Sequence, residues 1–283
     1  MKSICIFIPL YNGKKYIPLI EQEIKSQQTD NVKLSHKYLL TDTNDGSEEE
    51  LKKIGAEFEK IKPSEFSHSL TREKAIMRCD TDIAIMMTQD CRMVNTDCVL
   101  KLSSCINDEI KFAYLRQVNS NRTIEKYTRE INYPPKTIIK DKNSIPLMGI
   151  NTFFASDAFA AYDVKFFKDI NGYDGKNLPT NEDMYYAHKV IMKGYKVEYC
   201  ADSFVDHTHK FTLKQIYKRY ILFGLFFRQN PSISKYNENS SGLSLSIKTL
   251  KLILKDCNIR AFFAFGPNMM ARYFGKRKGE HMK

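Results

Sequence analysis

The chain of 283 residues carries 44 Lys plus Arg against 33 Asp plus Glu, a formal net charge of +11, with 42% hydrophobic and 27% charged residues. That composition supplies a full apolar core and excludes disorder, collagen and a disulfide miniprotein. The charge is placed unevenly: residues 207–283 hold 15 Lys/Arg and 3 Asp/Glu, whereas residues 1–206 hold 29 and 30. A nucleic-acid enzyme concentrates positive charge around its cleft, so no nucleic-acid partner is expected. Seven cysteines, an odd number without a C-x-x-C pair, argue against a disulfide framework and a structural zinc site. The first apolar run begins too early for a leader peptide. No run approaches the ~18–20 apolar residues of a spanning helix, and a reducing, cytoplasmic location is expected.

The β-rich run Ile4–Ile8, stopped by Pro9, predicts a buried strand. Residues 14–28 carry Ile17, Ile20 and Ile24 among charged neighbours and predict an amphipathic helix. Lys37–Leu40 reads as a second strand that opens into the polar turn Thr41–Ser47. A Glu/Lys-rich helix over 48–55, a short strand over 58–61 and a helix over 71–79 follow, and Asp82–Met87 is a strong buried strand ending in Thr88-Gln89-Asp90. This alternation implies an α/β fold with an open, mostly parallel sheet between helices. Ligands bind such sheets at the carboxyl ends of the strands, where Tyr11-Asn12-Gly13, Asp42–Ser47 and Thr88-Gln89-Asp90 are expected to lie.

Residues 119–146 are polar and proline-punctuated, and read as a long functional loop rather than another strand–helix unit. Pattern returns over 151–161, a helix is predicted from Asn181-Glu182-Asp183 to Lys193, and a strand over 196–199. From Leu213 the chain reads as basic, aromatic helix, with further candidates at 245–254 and 262–274.

Several of these residues suit chemistry. Asp90, delivered by a rigid strand, can serve a hard divalent cation on a diphosphate, or can simply cap a turn. Asp42 and Asp45 can bind a base or ribose, or form Asx turns. Glu182 and Asp183 open a helix, where acids are favoured by the dipole; a general base there must reach the proton of a nucleophile. His207 and His209 point to one side if extended and suit a metal or phosphate. Arg72 suits a diphosphate or a salt bridge. Signatures of serine hydrolases, P-loop NTPases and nicotinamide enzymes are absent from the sequence.

Taken in order, Ile8-Pro9-Leu10-Tyr11-Asn12, the Asp42 turn, Thr88-Gln89-Asp90, Asn181-Glu182-Asp183 and His207-Thr208-His209 resemble an inverting glycosyltransferase of family two, which has the GT-A fold. The bacterial rhamnosyltransferase branch is the closer likeness, through Phe66–Arg72, Phe154–Tyr162, Lys193–Val197 and Lys218-Arg219-Tyr220. The resemblance implies a GT-A catalytic domain over about 1–210, with nucleotide-sugar binding in about 1–95 and the acceptor and catalytic part in about 96–210. A helical, basic region over 211–283 follows it.

Carried onto this chain, the resemblance puts Pro9, Tyr11, Asp42, Asp45, Arg72, Gln89 and Asp90 at the donor, and Ser156 and Asp157 at the acceptor. Asp90 takes the place of the last Asp of the family's D-x-D motif and would hold Mg2+ or Mn2+, with His207, or else His209, completing the shell. Thr88 replaces the first Asp of that motif. Asp183 would be the catalytic base, and Glu182 would hold a hydroxyl. The reaction implied is transfer of a sugar, L-rhamnose from dTDP-rhamnose in the first place, onto a saccharide in surface polysaccharide synthesis (capsule or O-antigen). The alternatives are a UDP-hexose or UDP-N-acetylhexosamine transferase, or a non-catalytic nucleotide-sugar-binding subunit. The basic, amphipathic tail is expected either to dock at the anionic inner face of the cell membrane, where a lipid-linked acceptor is presented, or to pack on the catalytic domain or on a second copy of the chain.

Overall fold

Ile4, Ile6, Ile8 and Leu10 project to one side of the first strand and Cys5 and Phe7 to the other, and all six are buried. A strand apolar on both faces belongs at the centre of a sheet covered by helices on both sides. The computed structural model describes residues 1–236 and 240–282, without the side chains of Ser240 and Ser241; residues 237–239 and Lys283, which fall in the expected helical tail, lie outside the described residues. The strands are β1 (Lys2–Leu10), β2 (Val32–Thr41), β3 (Phe58–Ile61), β4 (Ile83–Met87), β5 (Arg92–Met93), β6 (Ile110–Val118), β7 (Ile138–Lys140), β8 (Phe159–Asp163) and β9 (Lys196–Asp206). They form one sheet in the order β3-β2-β1-β4-β8-β6-β9-β5, with β7 paired to β9.

The expected parallel arrangement holds from β3 to β4. Beyond it the sheet is mixed, because β8 enters antiparallel to both β4 and β6, while β9 runs parallel to β6. β1 runs on through Pro9 to Leu10. The ladder to β4 ends at Phe7↔Met86, so a residue without an N–H is tolerated at position 9.

The helices are α1 (Ile17–Lys25), α2 (Ser47–Lys53), α3 (His68–Met77), α4 (Cys98–Cys105), α5 (Ile124–Asn132), α6 (Ile145–Met148), α7 (Val164–Asp169), α8 (Glu182–Met192), α9 (Leu213–Gln229), α10 (Pro231–Ser234), α11 (Ser240–Lys255) and α12 (Ile259–His281). Side chains from α1, α2 and α4 bury against one face of the sheet, and those from α3, α7 and α8 against the other. α3 starts three residues earlier than its apolar pattern predicts, because the Ser67 hydroxyl accepts from the Leu70 amide and caps it.

The segment 119–146 is not the long loop its polarity suggests. It contains α5, β7 and α6. α5 is amphipathic but polar overall, and it buries Ile124 and Tyr127 in a small cluster with Ile253 of α11 and Ala261 of α12, with Thr128 also buried.

In the tail, α9 and α12 pack through glycine. A Cβ at Gly224 would lie 2.1 Å from the Lys276 carbonyl oxygen, and one at Gly279 would lie 2.0 Å from that of Ile221. Real Cβ atoms do not come so close to backbone, so the two helices would have to separate. Gly279→Leu is therefore expected to splay α9 from α12 and lower Tm by several degrees, whereas Gly266→Ala, with open space around it, should be neutral or slightly stabilising. Calorimetric scanning of both variants checks this.

Candidate active site

The carboxyl ends of β1, β2 and β4 meet at one edge. Gln89 clamps two of them: its amide accepts from the Tyr11 N–H at 2.8 Å and donates to the Tyr11 carbonyl at 3.0 Å. Its polar atoms are therefore engaged with backbone. Asn12, with φ of 47°, turns the chain away from the strand, leaving Tyr11 56% exposed beside a half-buried Pro9. Asp45 accepts from the Thr43 hydroxyl (2.7 Å) and from the Ser47 and Lys14 amides (3.1 Å each). Burial works against it, but these hydrogen bonds hold its carboxyl down at about 2. This is Asx-turn chemistry. Asp42 is exposed, with Lys60 at 3.7 Å.

Beyond β4, Asp90 meets the two histidines that follow β9. Asp90 Oδ1 is 3.4 Å from His207 Nε2, Asp90 Oδ2 is 3.4 Å from His209 Nδ1, and the two Nε2 atoms are 2.7 Å apart. The Gln117 amide oxygen faces His207 Nδ1 at 2.9 Å and also accepts from Arg129. An amide oxygen only accepts, so the ring proton sits on Nδ1 and the Nε2 lone pair points at Asp90 and His209. Burial lowers the pKa of both imidazoles, that of His209 to about 4. Burial would raise the Asp90 carboxyl, but the His207 and His209 imidazoles beside it, once protonated in acid, hold it below the usual range.

All three groups are thus in metal-binding form at neutral pH. Ligand atoms on adjacent corners of an octahedral ion at ~2.1 Å stand roughly 3 Å apart, and one ligand atom from each of Asp90, His207 and His209 lies within 4.8 Å of the others, so small side-chain movements bring them to one ion. The residues therefore fit a divalent cation, with Gln117 as the outer partner that orients His207. Thr88, where the family motif has an acid, carries a buried hydroxyl without a hydrogen-bond partner among the described residues.

The second cluster surrounds the start of α8. Arg72 is 4% exposed, its Nε 3.4 Å from Asp157 and its Nη1 3.3 Å from Glu182. Nη1 also donates to the His68 carbonyl at 2.7 Å. Asp157 is further held by the Tyr162 hydroxyl and, at 3.5 Å, by that of Tyr173. Burial lifts Asp157 to about 6, with Arg72 opposing and Glu182 adding to the rise. Asp183 is the more open of the paired acids; it accepts from the Met184 amide at 2.7 Å and the Asp157 amide at 3.3 Å. Burial, then Glu182 and Asp157, push its carboxyl well above the usual range. Beneath lies a wholly buried Lys140, donating to Tyr114 Oη at 2.9 Å and to the Phe154 carbonyl. Burial pulls its pKa down to about 7, against the Coulomb pull of Asp183.

The structure thus gathers Asp90, His207 and His209 in one cluster and Arg72, Asp157, Glu182 and Asp183 in another. Ser156 joins them: its hydroxyl accepts from Gln117 Nε2 at 2.6 Å, and the next residue's amide holds Asp183. Arg72 and Asp157 are spent on each other and on buried partners, beneath the site rather than along an open wall. Gln117, Arg129, Tyr162, Tyr173 and Lys140 escape the sequence reading. A polar side chain inside an apolar strand, as at Gln117, is the signal that could have found the first of them.

No family model matches the chain. It is 32% identical over 230 residues to the O-antigen chain rhamnosyltransferase WbaN of Salmonella anatum, spanning 78% of this chain and 71% of that protein. The chain belongs to the O-antigen chain rhamnosyltransferase family. It is also 29% identical over 293 residues to the O-antigen chain rhamnosyltransferase RfbN of Salmonella typhimurium, covering 99% of this chain and 90% of the relative. Among solved structures it resembles the mannosyltransferase PcManGT of Pyrobaculum calidifontis in complex with GDP-Man and Mn2+ (TM-score 0.60, 12% identity, 96% of this chain and 83% of that one). It also resembles residues 1–349 of TarS of S. aureus (TM-score 0.53, 11% identity, 98% and 90%). These likenesses give the GT-A fold, and the O-antigen family gives glycosyl transfer in surface polysaccharide synthesis.

Two stability predictions follow from this rhamnosyltransferase-family site. Arg72→Met leaves Asp157 and Glu182 without their cation and should cost about 3–5 kcal/mol in denaturant unfolding. Asp183 behaves oppositely. Its folded pKa lies above the ~3.9 of an unfolded aspartate, so folding favours the protonated form and stability falls as pH rises through the folded value. At neutral pH, well above the unfolded value, this raised pKa costs stability. Asp183→Asn is expected to raise Tm at pH 7, by about 2–4 °C per kcal/mol relieved, and to lose that advantage below pH ~4.

Proposed function

We propose that this enzyme transfers L-rhamnose from dTDP-rhamnose to a saccharide acceptor with inversion at the anomeric carbon, Asp183 being the base. The observation that carries this reading is the half-buried Asp183 carboxyl, raised above the usual carboxylate range by burial and fixed by two backbone amides, across the Ser156–Gln117 link from the Asp90–His207–His209 set. A base is most effective with a pKa near working pH. The acceptor hydroxyl gives its proton to Asp183 as its oxygen attacks the anomeric carbon; the bond to the nucleoside diphosphate breaks, and the electron pair leaves with the diphosphate. Asp90, His207 and His209 would hold the cation, with two imidazoles favouring Mn2+ over Mg2+. The bound ion supplies positive charge against the leaving diphosphate. Pro9, Tyr11 and Asp42 are the accessible donor-side candidates. In this reading residues 1–210 are the catalytic unit, 1–95 serving the donor and 96–210 the acceptor, with Glu182 as the group that orients rather than the one that reacts.

The tail suits attachment to an anionic lipid surface. No helix among the described residues is long and apolar enough to cross a membrane. At 100° per residue, the buried stripe of α12 (Ala261, Asn268, Gly275, Gly279) lies opposite Ile259, Phe262, Phe263, Met270, Tyr273 and Phe274, all 46–75% exposed. Arg277 shares that apolar face, and Arg260 and Lys278 flank it. Such a face suits in-plane binding close to a lipid-linked acceptor.

Asp183→Asn is expected to lower kcat by at least ~100-fold, the low end of general-base contributions, with dTDP affinity within twofold; near-normal turnover would remove it as the base. NMR of the wild-type product should give an anomeric configuration opposite to that of the donor. Phe262→Ser/Phe263→Ser should weaken binding to phosphatidylglycerol vesicles tenfold or more, since burying one Phe is worth about 1.5–3 kcal/mol. Unchanged vesicle binding with altered mass in light scattering would make the face a contact between copies.

A further inference from the structure

A second ligand set lies apart from the site described above. α4 ends at Cys105 against β9, on which Glu198 and Cys200, two residues apart, face the same side. One donor atom from each of Cys105, Glu198 and Cys200 lies within 4.8 Å of the others. Both cysteines are free and buried, 7% and 2% exposed. Around one tetrahedral Zn2+, sulfur at ~2.3 Å and oxygen at ~2.0 Å stand roughly 3.5–3.8 Å apart, so the three atoms need little movement to share an ion.

The surroundings point the same way. Glu198 is half-buried, yet no Lys, Arg or His among the described residues lies within 4.0 Å of its carboxylate, whereas a carboxylate so placed is ordinarily paired. The Cys105 thiol reaches the Lys101 carbonyl within its own helix, at 3.2 Å, and its other polar neighbours are Glu198 and Cys200 themselves. We infer that Cys105, Glu198 and Cys200 form a binding site for a thiophilic divalent cation, of which Zn2+ is the natural example, with a fourth position left for water. Binding displaces the two thiol protons to solvent and pins the end of α4 to β9, the strand whose far end presents His207. The missing C-x-x-C spacing hid the site in the sequence, because Cys105 comes from a different element.

The test uses the full chain, purified under reducing conditions, stripped with chelator and titrated with Co2+. Thiolate ligands give Co2+ intense near-ultraviolet charge-transfer absorption, which the sulfur-free Asp90–His207–His209 set cannot produce. One equivalent of Co2+ in such a band is expected, with release of about two protons per ion at pH 7. The band should vanish in Cys105→Ser and Cys200→Ser, persist in His207→Ala, and need at least ~10-fold more Co2+ in Glu198→Gln, judging from the cost of losing even an outer-shell partner. The proposal is overturned by a missing band in the wild type, by its survival in both cysteine variants, or by a thiol count two short of seven in denaturant without reductant, which would mean a Cys105–Cys200 disulfide. Circular dichroism of the serine variants separates loss of ligand from loss of fold, and persistence of the band in His207→Ala does not depend on them.

Discussion

The site depends on a single buried cation. Arg72, on the third helix, is sealed from solvent and holds two carboxylates from elsewhere in the chain, Asp157 before β8 and Glu182 at the start of α8. Taking three charges out of water is expensive, and a well-packed apolar replacement can be the more stable solution. What the charges provide is position. By fixing the residue before Asp183 and the one whose amide holds Asp183, Arg72 determines where that carboxylate stands, and burial, joined by the negative charge gathered around it, lifts its pKa.

The Asp90–His207–His209 set is positioned by a comparable chain of hydrogen bonds. Gln117 in β6 orients His207, receives Arg129 and donates to Ser156. Ser156 directly precedes Asp157. The two clusters thus share one polar backbone running between β6, β8 and β9, and antiparallel insertion of β8 between β4 and β6 brings it together. A wholly parallel sheet would give this segment no route across the strand ends. The mixed sheet is therefore tied directly to the chemistry.

Much of this was legible in the residues. Apolar runs at Ile4–Ile8 and Ile83–Met87 marked the central strands, because both faces of each are buried and nearly every residue had to be apolar. The polar clusters after those strands, the acids at 182–183 and the histidines at 207 and 209 stood out as chemistry placed at element ends. Burial and pairing were not legible. Arg72 reads from sequence as a surface or diphosphate arginine, since nothing nearby announces Asp157 or Glu182 as its partners. Gln89 and Asp45 look like ligand contacts but hold the turns together through backbone amides. α5 and β7 were hidden by polarity: α5 spends its few apolar residues on a satellite cluster with α11 and α12, and β7 is a three-residue edge strand. The glycines at 224, 275 and 279 acquire meaning only once α9 and α12 are seen to cross.

The proposed mechanism turns on whether Asp90, His207 and His209 would hold a divalent ion that supplies positive charge to the donor diphosphate. Calorimetric titration of dTDP into the wild type and His207→Ala, each with and without Mn2+, tests this most directly. Mn2+ is expected to tighten dTDP binding to the wild type by tenfold or more and to have little effect on the variant. Equal dTDP affinity in the wild type with and without Mn2+, or an undiminished Mn2+ effect in His207→Ala, would contradict it.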